Sequence, residues 1–385
     1  MRVVQAVWGA FHHFDLAREL DRRGHLERIY STYPWFRLKR EGLPHSKVET
    51  FPLLQLAQLM AARYSRWSAT QLGYANTILF DKWLDWRLPH AGVDALIALS
   101  GAGPETGKRL QREGGVFVCD RGSTHQRFQE RVVNEEFRRW GVEPPGNKTL
   151  QTLYRREVSM YEAADAITVP SSFAARSFIE EGIAKEKLHV IPYGVRLEKF
   201  HPSAQPPSDR FEVLFVGQVA LRKGVPYLLQ AFARVRHPRK RLRLVGSVHS
   251  SMSQVLARLP REQVEFLGPQ PQSEVARYMS SSHVMVLPSI EEGLALVQGQ
   301  AMACGCPVIA STNTGSEDLF TDGLEGFIVP IRDVDALRDR IQEIAEDPQL
   351  QARMREAALK RVRNLGGWRD YGDRWETLLQ ELLRR

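Results

Sequence analysis

The residue types that could do chemistry are densest between Val284 and Pro330, which read VMVLPSIEEGLALVQGQAMACGCPVIASTNTGSEDLFTDGLEGFIVP. A buried apolar run ends at Pro288-Ser289, the acidic loop Ile290-Glu291-Glu292-Gly293 follows, and a helix is expected over roughly 295–304. A helix start offers unpaired N–H groups and a positive dipole end, so a phosphate is its natural ligand, and Gly293 lets a backbone come close. A carboxylate at Glu292 would repel that phosphate unless it faced neutral hydroxyls of a group attached to it. The plainer alternative is an acid at a helix N-terminus. A second segment, Val213–Gly224 (VLFVGQVALRKG), ends an apolar run at Gly217 and opens the next helix with Arg222-Lys223-Gly224. Two cations at a strand-to-helix turn suit a diphosphate. They also suit a solvated basic turn, and the two segments gain meaning chiefly from each other.

Such loops need strands and helices to hold them. Short apolar runs alternate with amphipathic stretches along the whole chain. Strands are expected at Val3–Val7, Ala95–Leu99, Val116–Cys119, Ala166–Val169 and Leu188–Ile191, with helices at Asp15–Arg23, Lys108–Arg112, Leu150–Ala164 and Ser172–Glu181. Residues 192–209 break the rhythm with several prolines and read as an inter-domain linker. A second alternation follows. Its strands are at Glu212–Val216, Arg241–Val245, Val264–Leu267, Val284–Leu287, Val308–Ala310 and Gly326–Val329, and its helices at Val225–Val235, Ser253–Leu259, Asp335–Glu346 and Leu350–Val362. The pattern is α/β: two units with parallel sheets, joined by a hinge and facing across a cleft, with ligands beyond the carboxyl ends of the strands. The last stretch, Trp368–Leu383, places Tyr371, Trp375, Leu378, Leu379 and Leu382 on one helical stripe, which should pack on a domain.

The 385 residues, 43% hydrophobic and 25% charged, describe a globular chain long enough for two domains. Three cysteines, Cys119, Cys304 and Cys306, cannot staple a chain of this size and read as reduced thiols. No run approaches the about 18–20 apolar residues that span a bilayer, and the N-terminus is too short for a signal-peptide core. The expected location is therefore cytoplasmic. The net charge is +8, and residues 1–150 hold 22 Lys and Arg against 16 Asp and Glu. The first half is the better candidate to meet something anionic, although a solvated basic face would look the same.

Five motifs together resemble the GT-B glycosyltransferases of the large retaining family four, the glycogen-synthase-like and sucrose-synthase-like group. They are PSIEEGLALVQGQAMACGCPVI at Pro288–Ile309, FVGQVALRKG at 215–224, VIPYGVRLEKFHP at Val190–Pro202, ADAITVPS at Ala164–Ser171 and the stretch from Gly315 to Pro330. The resemblance covers about residues 160–335. It implies an N-terminal, acceptor-side Rossmann-like domain over 1–200, a nucleotide-sugar domain over 201–366, and a helix over 367–385 crossing back onto the first domain.

The resemblance also implies a metal-independent enzyme that needs no cofactor. It would move a sugar with retention from a nucleotide diphosphate sugar, UDP or GDP type, to a glycan, lipid-linked or small-molecule acceptor, as in polysaccharide biosynthesis. Glu292 would hold donor-sugar hydroxyls, and the backbone of Gly293, Leu294, Ala295 and Leu296 would bind the diphosphate. Lys223, with Arg222, would neutralise it, and Phe266 and Leu267 would wrap the base. Gln300 stands where the family has a ribose-binding glutamate, Gln218 where it has a phosphate arginine, and Gly9 is what remains of a glycine pair. His125, after VFVCD, would reach the donor sugar or be an ordinary loop histidine; His12 and His13 are alternative groups facing the cleft. Trp35, Phe36, Arg37, Lys39 and Arg40, with the run FPLLQLAQLMAARY, suit either peripheral contact with a membrane surface or a buried helix with a basic edge. No nucleic-acid partner is implied. A non-catalytic GT-B scaffold and a GT-B epimerase are the alternative readings, the first supported by Gln300 and Gln218. Asp333 and Asp335 resemble a metal motif but stand where an N-cap is expected. Asn147 starts a sequon without meaning in a cytoplasmic chain.

Overall fold

Uninterrupted aliphatic runs are stable as strands when both faces of their sheet are covered. The computed structural model describes residues 1–52, 69–146 and 148–384 and builds two such sheets. The first has seven strands: β1 (Val3–Val7), β2 (Leu26–Ser31), β3 (Val48–Thr50), β4 (Ala95–Leu99), β5 (Val116–Asp120), β6 (Ala166–Val169) and β7 (Leu188–Val190). Their order is β3-β2-β1-β4-β5-β6-β7, every pair parallel. The second has β8 (Phe211–Val216), β9 (Lys240–Val245), β10 (Val264–Gly268), β11 (Val284–Leu287), β12 (Val308–Ser311) and β13 (Gly326–Val329). Its order is β10-β9-β8-β11-β12-β13, again parallel throughout. Strand order reverses between β1 and β4 and between β8 and β11. Crevices outside the carboxyl ends of strands open at such places.

Side-chain alternation shows both faces of the first sheet in use. Val3 and Val7 enter one core cluster, whereas Val4 and Ala6 enter another. The final helix, Trp368–Leu383, buries Tyr371, Trp375, Leu378, Leu379 and Leu382. It lies against the helix His13–Arg22: Glu376 meets His25 at 2.8 Å, and Arg23 donates to Arg369 O at 3.0 Å. Gly372 makes this approach possible, since a Cβ there would sit 2.7 Å from Glu19 Cβ. No helix or strand forms over 192–209, and the three cysteines are buried and free.

Several elements are absent from the sequence reading. β2 (LERIYS) carries charge on its half-buried positions, and β3 is three residues long. The helices Gln126–Arg139 and Gln272–Ser280 are polar over most of their surface. Asp333 is an N-cap, its Oδ1 accepting from Ala336 N at 2.8 Å. Among the described residues no helix is long and apolar enough to cross a membrane. Phe36 is 67% exposed. Most of the run FPLLQLAQLMAARY, and Asn147, lie outside the described residues.

Candidate active site

The two chemistry-bearing segments meet at the carboxyl ends of β8 and β11. The chain leaves β8 through a turn in which Lys223 N–H donates to Ala220 O and Gly224 N–H to Leu221 O. Gly224 has φ +64 and caps the helix Val225–Arg234; any Cβ there would overlap Pro288 O, so the turn presses directly on the loop after β11. Ile290 N–H donates to Arg222 O at 2.8 Å. This backbone contact sets the cations facing the carboxylates. Lys223 pairs with Glu292, and Arg222 Nη1 lies 3.4 Å from Glu292 Oε1 and 3.2 Å from Glu291 Oε2.

Glu292 and Glu291 are neighbours with different surroundings. Glu292 faces the two cations at the cleft. Glu291 is fully buried and reaches the other domain, accepting from Ser123 Oγ and Thr124 Oγ1 at 2.7 Å and from Gln129 Nε2 at 2.8 Å. Burial alone would raise its pKa; the charge of Arg222 and these hydrogen bonds outweigh that and hold it below the usual carboxylate range. The sequence reading overlooked Glu291 as a site residue, because its partners lie more than 160 positions away. Gly293 is wedged beside it. A Cβ there would lie 2.6 Å from Ser123 Cα, and its carbonyl accepts from Ser171 Oγ. Gly293 thus permits the close approach of two protein loops.

On the opposite wall, Arg121 shapes the loop after β5. Its buried guanidinium donates to Thr124 O at 3.0 Å, Ser100 Oγ at 3.1 Å, Gln126 at 3.0 Å and Gln129 at 2.8 Å, and pairs with Glu157. His125 is buried at the end of the loop after β5. It is the N-cap of Gln126–Arg139, with Nδ1 accepting from Arg127 N at 3.2 Å and the ring packed about 5.0 Å from Tyr161 and Phe178. Burial, then the charges of Arg127 and Arg121, bring its pKa down to about 4, so it is neutral at neutral pH. A side-chain acceptor here satisfies one of the otherwise unpaired N–H groups of the first helical turn.

His12 and His13 meet instead at Asp120. His12 Nε2 is 2.6 Å from Asp120 Oδ2 and His13 Nε2 is 3.2 Å from the same oxygen. Thr168 Oγ1 donates to Asp120 Oδ1 at 2.7 Å. Gly9, with φ +78, turns the chain after β1, its N–H donating to Thr32 Oγ1 at 3.1 Å.

The remaining expected residues surround the β8–β11 end. Leu294 and Ala295 are buried, and Leu296, 37% exposed, begins the helix Leu296–Ala303. Gln300 is half-buried on that helix. Phe266, exposed, and Leu267 lie on the edge strand β10. Gln218 is exposed after β8 and, with Arg222 and Leu221, lines a cavity of about 490 Å³ whose far wall is Val133, Phe137 and Val142 of the first domain.

A family model for Glycosyl transferases group 1 matches residues 197–361, and one for Glycosyltransferase Family 4 matches residues 122–199. Residues 122–361 thus carry glycosyltransferase group 1 and family 4 domains. A D-inositol 3-phosphate glycosyltransferase of Kribbella flavida is 31% identical over 250 residues, 59% of this chain and 57% of that protein. Another, of Catenulispora acidiphila, is 30% identical over 242 residues, 57% of each. The chain thus spans little more than half the length of these curated relatives. Sucrose-phosphate synthase of Thermosynechococcus elongatus superposes with a TM-score of 0.73 at 21% identity, covering 100% of both chains. Anabaena HepE, solved with UDP, gives 0.69 at 17% identity over 99% of this chain and 100% of its own. At such identities the likeness is one of fold, and that fold is GT-B.

Proposed function

We propose that this glycosyltransferase moves a sugar from a nucleotide diphosphate sugar to an acceptor hydroxyl with retention of configuration. The observation that carries the reading is the convergence of Glu292, Lys223 and Arg222 where β8 and β11 end, beside the start of the helix Leu296–Ala303. Charge develops on the leaving diphosphate as the glycosidic bond breaks. Lys223, Arg222 and the helix N–H groups meet that charge with no ion required. In this reading Glu292, paired with both cations, takes sugar hydroxyls at the anomeric end. The domains hold donor and acceptor in one orientation, which is a large part of what such a reaction needs.

Structures that share the fold were solved with UDP, which supports a uridine donor first and a guanosine donor second. Relatives named for D-inositol 3-phosphate place a small polyol phosphate among the acceptors to try, beside glycans and lipid-linked sugars. Phe36, exposed beside Arg37, Lys39 and Arg40, is where a peripheral membrane contact would form. The test is a panel of nucleotide sugars scored for binding and for slow release of free sugar. Binding of a diphosphate nucleotide with turnover of at least one sugar donor is expected. Tight binding with no turnover of any donor would favour the non-catalytic scaffold, which the neutral Gln218 and Gln300 support.

A further inference from the structure

We propose that the second domain carries a separate binding site for a small carboxylate with an apolar body, in the cavity lined by His237, His283 and Arg355. The cavity has a volume of about 360 Å³. It lies at the amino ends of β8 and β11, where Phe211 begins one strand and His283 immediately precedes the other. Lys223, Arg222 and Glu292 follow the carboxyl ends of the same two strands. β8 has six residues at about 3.3 Å each, so roughly 20 Å separates the cavity from that site. The proposal therefore stands apart from the glycosyltransfer reading.

The polar groups on its walls are mostly donors. His283 Nδ1 accepts from Glu212 N at 3.0 Å, and His237 Nδ1 accepts from Arg239 N at 3.2 Å. An accepting nitrogen carries the lone pair, so each neutral ring keeps its proton on Nε2. No described residue bonds to either Nε2. Burial brings the pKa of His283 down to about 4 against the opposing charge of Glu212, so this ring is a neutral donor at neutral pH. Both rings lean on Phe211, whose centroid lies 5.1 Å from that of His283 and 5.9 Å from that of His237. Arg355 supplies the charge. Its guanidinium donates to Gly305 O at 3.0 Å and to Ala204 O at 3.5 Å, and it pairs with no carboxylate among the described residues. Arg210, on the same wall, is already paired with Glu212 at 2.6 Å. Among the described residues no Asp or Glu lines the cavity.

Two neutral N–H donors and one guanidinium suit a monoanion whose two oxygens share them, which is the form of a carboxylate. A phosphate dianion would bring a second charge and a third oxygen to a single cation free of carboxylate partners. The remaining wall, Pro206, Pro207, Phe211, Ile344 and Pro348, is apolar, as in most small-molecule sites. The volume is at the small end for such sites and leaves room for one ring or a short chain. Pro206 and Pro207 belong to the irregular stretch that joins the domains, so a bound acid would also hold that stretch against the second domain.

Benzoate is the probe, added to the full chain and followed by NMR of the histidine rings and by calorimetry, with benzyl alcohol and inorganic phosphate beside it. In wild type the ring resonances of His237 and His283 should shift together and saturate at millimolar benzoate. The thermal midpoint should rise with benzoate concentration, as for any ligand of the native state alone. Benzyl alcohol and phosphate should bind at least about tenfold more weakly, since a hydrogen bond to a charged partner is worth that much. Arg355→Gln and His237→Phe should each weaken benzoate binding about tenfold, while UDP affinity stays within about twofold because distant sites act independently. His237→Phe keeps a ring on Phe211 and guards against loss of fold at Arg355. Histidine resonances indifferent to benzoate at tens of millimolar overturn the site, as does unchanged benzoate affinity in both variants. Equal binding of benzyl alcohol, or tighter binding of phosphate, overturns the carboxylate assignment. Displacement of benzoate by UDP would put the probe in the donor site and overturn the proposal, whereas a chain that binds benzoate but no UDP would overturn only the glycosyltransfer reading.

Discussion

Two buried carboxylates, Glu291 and Glu136, hold the domains together from opposite sides. Glu291 belongs to the second domain and takes hydroxyl and amide donors from the first. Glu136 belongs to the first, accepting from Arg332 Nε of the second at 2.8 Å and from Trp140 Nε1 at 2.8 Å. Both contacts use one face of the helix Gln126–Arg139, on which Gln129 and Glu136 stand two turns apart. Both side chains are fully buried. They differ in their neighbours along the chain. Glu291 is adjacent to Glu292, and its partner Arg222 is adjacent to Lys223, so this contact also aims the site. Glu136, equally buried, is flanked by nothing that we assign to the reaction. The same device can therefore serve stability alone, or stability and chemistry together, according to what flanks it.

The comparison breaks first at Glu291. Glu291→Ala leaves Arg222 facing a void and orphans three donors of the first domain. Removing one partner of a buried pair costs about 3–5 kcal/mol; with Arg222 partly exposed, about 3 kcal/mol is expected in denaturant unfolding. Turnover per folded molecule should fall as well, and an unchanged turnover would separate Glu291 from the site. Glu292→Gln should act on turnover alone, lowering transfer on the order of 100-fold while nucleoside diphosphate affinity survives. Equal losses in both would make Glu292 chiefly structural.

Lys223→Ala should weaken nucleoside diphosphate binding by roughly 1.5–3 kcal/mol and leave nucleoside binding nearly unchanged, as measured by calorimetry. Equal losses for the two ligands would remove Lys223 from the phosphate site. Glu136→Gln keeps the shape and loses the charge. It should cost roughly 1.5 kcal/mol of stability and spare turnover per folded molecule, the reverse of Glu292→Gln. A turnover loss at Glu136 as large as that at Glu291 would erase the distinction between the two contacts. The smallest effect belongs to Gln300→Glu, which should tighten nucleotide binding slightly or leave it unharmed. The expectation is that charge-assisted hydrogen bonds to a ribose at this position would outweigh added repulsion from the phosphates. Comparison of ribose with 2′-deoxyribose nucleotides checks it. A deoxy penalty absent in both forms would place Gln300 away from the ribose.

The glycine-rich turns and aliphatic strands of the second domain were legible because their signals are local. Arg222, Lys223 and Glu292 each sit within a few residues of a strand end, and a strand end followed by a helix is readable from neighbouring residues. His125 was legible as a polar residue after β5 but not as the cap of a helix. A cap is settled by where a helix begins, and Gln126–Arg139 is too polar to announce its start. β2 escaped for a related reason: Glu27 and Arg28 interrupt the apolar run where the strand is half exposed.

By itself, the sequence determined the two-unit α/β pattern, the irregular stretch 192–209 between the units, the returning helix Trp368–Leu383, and the identity of the residues at the ends of β8 and β11. Those follow from periodicity and turn chemistry, which act over a few residues. Tertiary structure alone decided which of two adjacent glutamates faces the cleft and which is buried against the other domain. It also decided that His12 meets Asp120 across 108 residues while His125 caps the helix Gln126–Arg139. The physical reason is that the ionisation and orientation of a polar side chain depend on burial and on partners within a few ångströms. Folding draws those partners from distant parts of the chain.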